Sequence, residues 1–430
     1  MMSDEFSPLP PGLSGTVRRR LVFYVPGYDP FHPRRYRELY RKESAEQARI
    51  SGYEIAIAAR RKPAATEKSA QGTTGANAHG WHVTSAQDGL TTETDVEVLV
   101  WSDIVRGSMG ASIPATYMQL LRTAWAYIGS GALFRLMRLR KGPVIAALYP
   151  IAVLLAEALA GILLGTVIAL ALLWPLPEFT GKGLVGAAIA AAVLVAVLRW
   201  FRRHDNRIYA YYLMHDYAFT AHWGGANPER LEARMAEFGN RIAAALGRDD
   251  LDEVLVVGHS SGAHLAISVL ADLVRDGRVP ATGPRLSLLT LGQVVPMVSF
   301  LPGAARLRAA LQRLGSTRAL DWVDVTAPGD GCAFALCDPV AVSGVALPDQ
   351  CQPLILSAAF SQTLSPERHR ALRRRYFKMH FQYLCAFDRP GDYDYFRITA
   401  GPRTLGARMA HRRHSKSRLA TPVNRYTSTE

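Results

Sequence analysis

The 430-residue chain contains few cysteines, and the four that it has are not spaced like metal ligands. None of them forms a C-x-x-C pair, which excludes the common zinc motifs and favours a reducing compartment. The chain also lacks a G-x-x-x-x-G-K-S/T phosphate loop and an H-E-x-x-H motif. The sequence therefore predicts neither a metal nor a cofactor. The four cysteines are Cys332, Cys337, Cys351 and Cys385.

Acidic residues are scarce relative to basic ones. The chain has 36 Asp and Glu against 50 Lys and Arg, a formal net charge of +14. The basic residues cluster beside apolar segments and in the tail, without the interleaved aromatic residues typical of a nucleic-acid surface. This pattern favours anionic lipid headgroups as a partner and argues against nucleic acid.

Long apolar runs are present in the middle of the chain. Residues 144–175 carry a single charged side chain, Glu157, and residues 183–201 form a second, shorter run rich in alanine. A helix needs about 20 apolar residues to cross a bilayer core. The two runs predict a transmembrane helical hairpin over residues 141–204, and a buried hairpin inside a soluble protein is the alternative.

Basic side chains flank both outer ends of this hairpin, whereas its connecting loop holds only Lys182 and Glu178. By the positive-inside rule, both flanks lie in the cytoplasm. We therefore expect the plasma (inner) membrane of a bacterial-type cell, with the rest of the protein on the cytoplasmic side. The flanking residues are Arg135, Arg138, Arg140, Lys141, Arg199, Arg202, Arg203 and Arg207.

The segment DEVLVVGHSSG contains the pattern G-x-S-x-G between a β-branched run and a helical stretch. In this setting the pattern predicts a nucleophile elbow, a sharp turn that exposes Ser260 at the N-terminus of a helix. Gly258 and Gly262 supply the clearance, because the neighbours at −2 and +2 of such a turn have almost no room for a side chain. A chance match of common residues is the alternative.

Short apolar strands alternate with helices elsewhere in the chain. This alternation predicts an α/β fold with a mainly parallel, doubly wound sheet into which the hairpin is inserted. We expect a mobile loop at 61–80, a long basic helix at 366–384 and a strand at 392–399. The expected organisation is a hydrolase domain in two parts, 1–140 and 205–400, the hairpin at 141–204, and a disordered basic tail at 401–430.

Four segments carry a resemblance to the α/β-hydrolase superfamily, more narrowly to its membrane-anchored bacterial members and lipase-like esterases. They are YVPGYDP, VVGHSSG, the strand end LTLGQ and WVDVTAPGD. The resemblance covers residues 20–30 and 250 to about 400. It implies a catalytic serine followed in the chain by an acid and then a histidine.

Three aspartates compete for the role of the acid. Asp330 follows the strand WVDVT across an Ala-Pro-Gly turn, the position at which the family carries its acid, so it is preferred. Asp338 in LCDP is the second choice. Asp324 lies within the strand and is expected to serve the sheet.

The base must also come after Ser260 in the chain. His380 lies among aromatic residues that would partly bury it. A partly buried histidine is better suited to act as a base, so His380 is preferred. His369 lies in an arginine-rich helix start and is the alternative. His411 and His414 fall in the basic tail and are expected to be solvated.

Acyl transfer also needs two backbone N–H groups directed at the developing oxyanion. The resemblance implies Ser261, directly after the nucleophile, and Tyr28 in the turn Pro26-Gly27-Tyr28-Asp29, where proline replaces the family's histidine. An ordinary turn at the end of the strand is the alternative.

These residues predict a membrane-anchored serine esterase or lipase-type hydrolase acting on an acyl ester, with lipid as the favoured substrate and membrane lipids as partners. Ser260 would attack, His380 would move the proton, and Asp330 would orient the histidine. The same residues could serve an acyltransferase or a thioesterase. A third alternative, from another class, is a non-catalytic protein that keeps the fold as a membrane tether or binding module.

Overall fold

Short aliphatic and β-branched runs form one eight-stranded sheet in the computed structural model, which describes residues 15–60, 79–110 and 112–430. The strands are β1 (Arg19–Val25), β2 (Glu54–Ala59), β3 (His79–Gln87), β4 (Leu90–Val98), β5 (Glu253–His259), β6 (Arg285–Leu291), β7 (Asp321–Thr326) and β8 (Leu354–Ser357). Their order across the sheet is β2-β3-β4-β1-β5-β6-β7-β8. All neighbours from β4 to β8 pair in parallel, whereas β2 and β3 form an antiparallel edge.

Helices cover this sheet and lead into the apolar hairpin. They are α1 (Arg34–Ser51), α2 (Ser102–Ser108), α3 (Ile113–Gly129), α4 (Ala132–Leu139), α5 (Lys141–Leu173), α6 (Lys182–Arg203), α7 (Asp205–Ile208), α8 (Ala210–His222), α9 (Glu229–Leu246), α10 (Ser261–Arg275), α11 (Val295–Ser299), α12 (Ala305–Ser316), α13 (Pro339–Val342), α14 (Phe360–Thr363), α15 (Pro366–Leu372), α16 (Tyr376–His380), α17 (Tyr395–Ala400) and α18 (Leu405–Met409).

The central strand β5 is buried at every position, because apolar side chains cover both of its faces. One buried cluster, with Leu265 and Trp322, lies on one side of the sheet, and a second, with Val257 and Phe396, lies on the other. This is the arrangement expected of parallel strands between two helical layers. The predicted α/β class with a mostly parallel sheet is confirmed.

Several boundaries differ from the sequence-based expectations. The long helix expected at 366–384 is divided into α15, α16 and a 3-10 turn, and the strand expected at 392–399 is helix α17, which Asp394 caps by accepting from two backbone N–H groups. Strand β8 was not predicted, because only four residues form it. The loop expected at 61–80 falls outside the described residues up to position 78.

The C-terminal residues 401–430 differ from the disordered tail that their basic composition predicts. Helix α18 buries Leu405 and Met409 against the sheet. Further along, the N–H of Ser415 donates to the β8 residue Ile355, and the N–H of Leu419 donates to Leu336. The segment is therefore part of the folded domain.

Helices α5 and α6 are each long and apolar enough to cross a membrane, with mean hydropathies of 2.4 and 2.2. They pack against each other as a hairpin. At their contact a Cβ added to Gly165 would lie 2.6 Å from the carbonyl oxygen of Ala190. The small residues therefore allow the two backbones to approach closely.

Helices α3 and α4, which precede the hairpin, expose a continuous apolar stripe. The exposed fraction reaches 79% for Trp125 and 61% for Leu121, while Leu120 and Tyr127 on the opposite side of α3 are buried. Phe134 continues the stripe on α4. Exposed apolar surface of this extent, next to an apolar hairpin, is typical of contact with lipid.

Replacing Gly165 with leucine is expected to lower the free energy of unfolding by about 1–3 kcal/mol, because the new side chain would collide with the backbone of Ala190. Denaturant unfolding in detergent micelles measures the change. Gly183→Leu is the matched control, because nothing lies within 4 Å of a Cβ added there. An equal loss in both variants would contradict this packing.

Candidate active site

Ser260 lies at the turn that joins β5 to α10. Its backbone has φ 56° and ψ −124°, in the left-handed region that residues other than glycine rarely adopt. Such a conformation is strained and persists only where the surroundings enforce it. The serine directly precedes the first residue of the 15-residue helix α10, where the helix dipole favours negative charge.

The two elbow glycines have no room for a side chain. A Cβ on Gly258 would lie 2.7 Å from the Cα of Ala263, and a Cβ on Gly262 would overlap the carbonyl oxygen of Val25 at the end of β1. The G-x-S-x-G pattern predicts that positions −2 and +2 from the serine have no room for a side chain, and both glycines meet this condition. The turn therefore has the geometry of a nucleophile elbow.

Asp330 and His380 lie 50 positions apart in the chain and are hydrogen-bonded in the structure. The Nδ1 atom of His380 is 2.7 Å from Oδ2 of Asp330, and both side chains are buried. Asp330 lies on the turn after β7, where its N–H donates to Ala327. His380 is the last residue of α16, and thus comes after β8, the last strand in the chain.

The carboxylate of Asp330 accepts two further hydrogen bonds, from the hydroxyl of Tyr383 at 3.0 Å and from the N–H of Cys332 at 2.9 Å. Burial by itself would raise the pKa of Asp330, but the charge and hydrogen bond of His380 and these two donors lower it below its ordinary value. The aspartate is therefore ionised, and it fixes the imidazole with its proton on Nδ1.

The other ring nitrogen of His380, Nε2, is buried and makes no hydrogen bond in the described part of the chain. His380 and Ser260 line the same cavity. No hydrogen bond joins Nε2 to the Ser260 hydroxyl in the described residues, a gap that is common in ligand-free sites. The tautomer leaves the lone pair of Nε2 free to accept a proton.

Two residues that the sequence analysis did not select hold His380 and Asp330 in position. His259, the residue before Ser260, pairs through its Nε2 with the backbone carbonyl of His380 at 3.0 Å. Burial lowers the pKa of His259 to about 3, so its ring is neutral and Nε2–H donates. Tyr383 bonds Asp330 and also accepts from the N–H of Ala327. His259 occupies a variable position of the G-x-S-x-G pattern and Tyr383 lies in no motif, so no sequence signal singles out either residue.

The turn after β1 lies against the elbow, because β1 and β5 are parallel neighbours with Val25 opposite Gly258. A Cβ on Gly27 would lie 3.5 Å from Oγ of Ser260. Neither the N–H of Tyr28 nor that of Ser261 has a protein partner among the described residues. Both donors are therefore available beside the serine.

Side chains around this turn fix its backbone. Trp101 donates from Nε1 to the carbonyl of Pro26 at 2.9 Å, and Tyr212 donates to the carbonyl of Tyr28. Asp29 accepts from the N–H of Phe31 at 2.9 Å. These three hydrogen bonds hold the backbone of the turn in place.

The competing aspartates have structural partners. Asp338 caps α13 by accepting from the N–H groups of Val340 and Ala341, and it pairs with Arg418. Asp324 is buried in β7 and accepts from the hydroxyl of Thr290 at 2.6 Å. Neither contacts a histidine in the described residues.

The competing histidines lie apart from the Asp330 carboxylate. His369 is near the same turn but forms no hydrogen bond with Asp330 in the part of the chain that the structure describes. His411 is exposed, as expected for the tail. His414 is not simply solvated, because its Nδ1 accepts from the N–H of Ile355 in β8.

Asp330, Cys332 and His380 have potential metal-binding atoms within 4.8 Å of one another. Burial raises the pKa of the Cys332 thiol well above its ordinary value, which disfavours the thiolate that a metal requires. Asp330 and His380 already bond each other. The geometry fits a hydrogen-bonded acid–base pair better than a metal site.

A cavity of about 1050 Å³ contains Ser260, His380 and the Tyr28 turn in its lining. Its walls are largely aromatic and aliphatic, and they extend to the base of the apolar hairpin, where Pro143 and Asn206 contribute. The cavity is large enough for a drug-sized or short lipid-like molecule. Comparisons of the chain with protein-family models, curated proteins and solved structures return no match.

Replacing Tyr383 with phenylalanine is expected to lower the free energy of unfolding by about 1–3 kcal/mol, because the buried N–H of Ala327 and one lone pair of Asp330 lose their partner. Thermal or denaturant unfolding measures this loss. Tyr24→Phe is the control, because the buried hydroxyl of Tyr24 has no partner among the residues that the structure describes, and its removal is expected to be neutral or stabilising. An equal loss of stability in both variants would contradict the role of the Tyr383 hydroxyl as a hydrogen-bond partner.

Proposed function

We propose that the protein is a serine hydrolase of the α/β-hydrolase type that cleaves carboxylic esters at a membrane surface. One observation carries the proposal. The buried Asp330–His380 pair leaves Nε2 of the histidine without a partner in the cavity that also contains Ser260, and Ser260 lies on a strained elbow at a helix N-terminus.

In the proposed reaction, Oγ of Ser260 attacks the ester carbonyl while Nε2 of His380 takes the hydroxyl proton. Asp330 stabilises the imidazolium that forms. The N–H groups of Tyr28 and Ser261 bind the negative oxygen of the tetrahedral intermediate. The intermediate collapses to an acyl-serine, and His380 gives the proton to the departing alcohol. Water then attacks the acyl-serine by the same route and releases the carboxylic acid.

The proposed reaction requires a hydrogen bond from the Ser260 hydroxyl to Nε2 of His380, which is open in the structure. His380 is the last residue of a five-residue helix, and its Nε2 has no competing partner among the described residues. Formation of the new bond would therefore displace no existing bond of Nε2. Catalytic hydrogen bonds that are open in the free enzyme often tighten when substrate binds.

Lipid character of the substrate is supported by the walls of the cavity and by what lies next to it. The lining is mostly apolar and reaches the ends of the hairpin nearest the sheet. The exposed stripe on α3 and α4, the helices that precede the hairpin, supplies further apolar surface. An ester with an aliphatic acyl chain can bury that chain in the cavity and gain about 0.8 kcal/mol per CH₂ group.

A fluorophosphonate probe is expected to label the wild-type protein, while Ser260→Ala abolishes labelling and His380→Ala slows it on the order of a thousandfold or more. In-gel fluorescence of the purified protein measures the rates. His369→Ala is the matched control, because this histidine does not bond Asp330. Equal labelling of wild type and Ser260→Ala would refute the proposed nucleophile. Loss of labelling in His369→Ala, with His380→Ala unaffected, would transfer the role of base to His369.

Product analysis separates hydrolysis from acyl transfer. The proposal expects free carboxylic acid as the main product in water, and an unchanged yield of acid when an alcohol or thiol acceptor is added. Quantitative transfer to the acceptor would favour the acyltransferase alternative. A protein that binds ester without turning it over or reacting with the probe would fit the tethering alternative.

For the location we propose the plasma membrane of a bacterial-type cell, with the catalytic domain in the cytoplasm. A cysteine placed at Phe179, in the exposed loop between α5 and α6, is expected to react with a membrane-impermeant maleimide in intact spheroplasts. A cysteine at Leu347, exposed on the domain, is expected to react only after lysis. The reverse pattern would contradict this orientation.

A further inference from the structure

One face of α8 forms a wall of the cavity. The residues of α8 that line the cavity recur at helical spacing and belong to a single stripe: Tyr212, Leu213, Asp216, Tyr217 and Thr220. The opposite face, with Met214 and Ala218, is buried against other helices. The stripe is apolar or aromatic except at Thr220 and Asp216, and Asp216 is its only ionisable carboxyl group.

Asp216 differs from the other carboxylates in the lining. Asp29 accepts from Phe31, Glu43 from the N–H of Ala386, and Asp205 from the N–H of Tyr211. Glu38 pairs with Arg41. Within the described residues, Asp216 alone of this set has neither a hydrogen bond nor an ion pair. The carboxyl group of Asp216 therefore lines the cavity with its hydrogen-bonding capacity open to a bound molecule.

Asp216 also lies within electrostatic range of the catalytic groups. Burial raises its pKa to about 7, and His380 acts in the opposite direction. Burial raises the pKa of Tyr28, its hydrogen bond with Ser108 lowers it, and the charge of Asp216 raises it. The backbone N–H of Tyr28 is the proposed oxyanion donor. Asp216 lies one turn of α8 after Tyr212, whose hydroxyl donates to the carbonyl of Tyr28, and both residues line the cavity that contains Ser260 and His380.

We propose that Asp216 is a binding subsite for a hydroxyl group that the ester substrate carries close to its reacting carbonyl. This subsite rests on the proposed hydrolase function. A hydroxyl can donate to an ionised carboxylate and can accept from a protonated one, so it satisfies Asp216 in either state. A positively charged group fits less well, because it would stand close to His380, which becomes an imidazolium during the reaction.

The substrate class that follows is a hydroxylated aliphatic ester. Two sources supply the same hydroxyl: the alcohol portion, as in a monoacylglycerol, or the acyl portion, as in a β-hydroxyacyl ester. In either case the aliphatic chain packs along the apolar part of the cavity and the hydroxyl bonds the one carboxyl group of the α8 wall.

The test compares kcat/KM for monodecanoylglycerol, ethyl β-hydroxydecanoate, decanoylcholine and ethyl decanoate, which share a ten-carbon acyl chain. The wild-type protein is expected to prefer one of the two hydroxylated esters over ethyl decanoate by about tenfold or more. Asp216→Leu is expected to remove this preference, and Asp216→Asn, which keeps hydrogen-bonding capacity, to retain most of it. Asp249→Leu, a change of an exposed aspartate outside the cavity, is the matched control.

Fluorophosphonate labelling keeps the two proposals distinguishable. Asp216→Leu and Asp216→Asn both remove the carboxylate charge near His380, so the two variants are expected to label at equal rates and to differ only in substrate preference, because the probe carries no hydroxyl. Labelling of Asp216→Leu together with an unchanged substrate preference would overturn the subsite and leave the hydrolase intact. A preference for decanoylcholine that both Asp216 variants lose would replace the hydroxyl with a cation.

Binding to catalytically silent protein tests the subsite without turnover. In the Ser260→Ala background, monodecylglycerol is expected to quench or shift the intrinsic fluorescence at about tenfold lower concentration than decyl ethyl ether. Adding Asp216→Leu is expected to make the two ligands equal. Equal binding before that substitution would overturn the subsite, whatever the labelling experiment shows.

Discussion

The parallel pairing of β1 with β5 is the contact on which the cavity depends. It brings the turn after Val25 against the turn that carries Ser260, although more than 200 residues separate them in the chain. Gly262 and Gly27 make this approach possible, since a side chain at either position would press on the opposite turn. A serine and a pair of free N–H groups can meet here only because both strands run in the same direction and end at the same edge of the sheet.

A second constraint connects the serine turn to the remote histidine. His259 bonds the backbone of His380, and Tyr383 bonds both Asp330 and the turn that bears it. The segment after β8 therefore attaches to the sheet through two side chains on either side of the imidazole. These bonds fix the backbone and the tautomer of His380, so the strained backbone at Ser260 and the Asp330–His380 pair belong to one hydrogen-bonded arrangement.

The sequence predicts the parts of this site that depend on local pattern. G-x-S-x-G identifies Ser260 and its glycines, and the Ala-Pro-Gly turn after β7 singles out Asp330, because each signal lies within a few residues. The position of His380 is harder to predict, because α16 has only five residues and the preceding strand β8 only four, too short for a periodic pattern. Basic composition suggests a solvated tail, but Leu405 and Met409 are buried, and single apolar anchors of this kind carry little signal. Tyr383 and Asp216 could not be found in advance, since their significance lies in contacts, or missing contacts, with residues distant in the chain.

The two faces of helix α8 have different surroundings. One face closes the cavity, and the other packs against α3 and against the long apolar helix α5. Where α5 spans a bilayer, its tilt follows the thickness of the hydrocarbon layer. Leu154 of α5 and Met214 of α8 share one buried cluster, so a change in the tilt of α5 would press on α8. For the proposed membrane enzyme, bilayer thickness would in this way act on the width of the cavity.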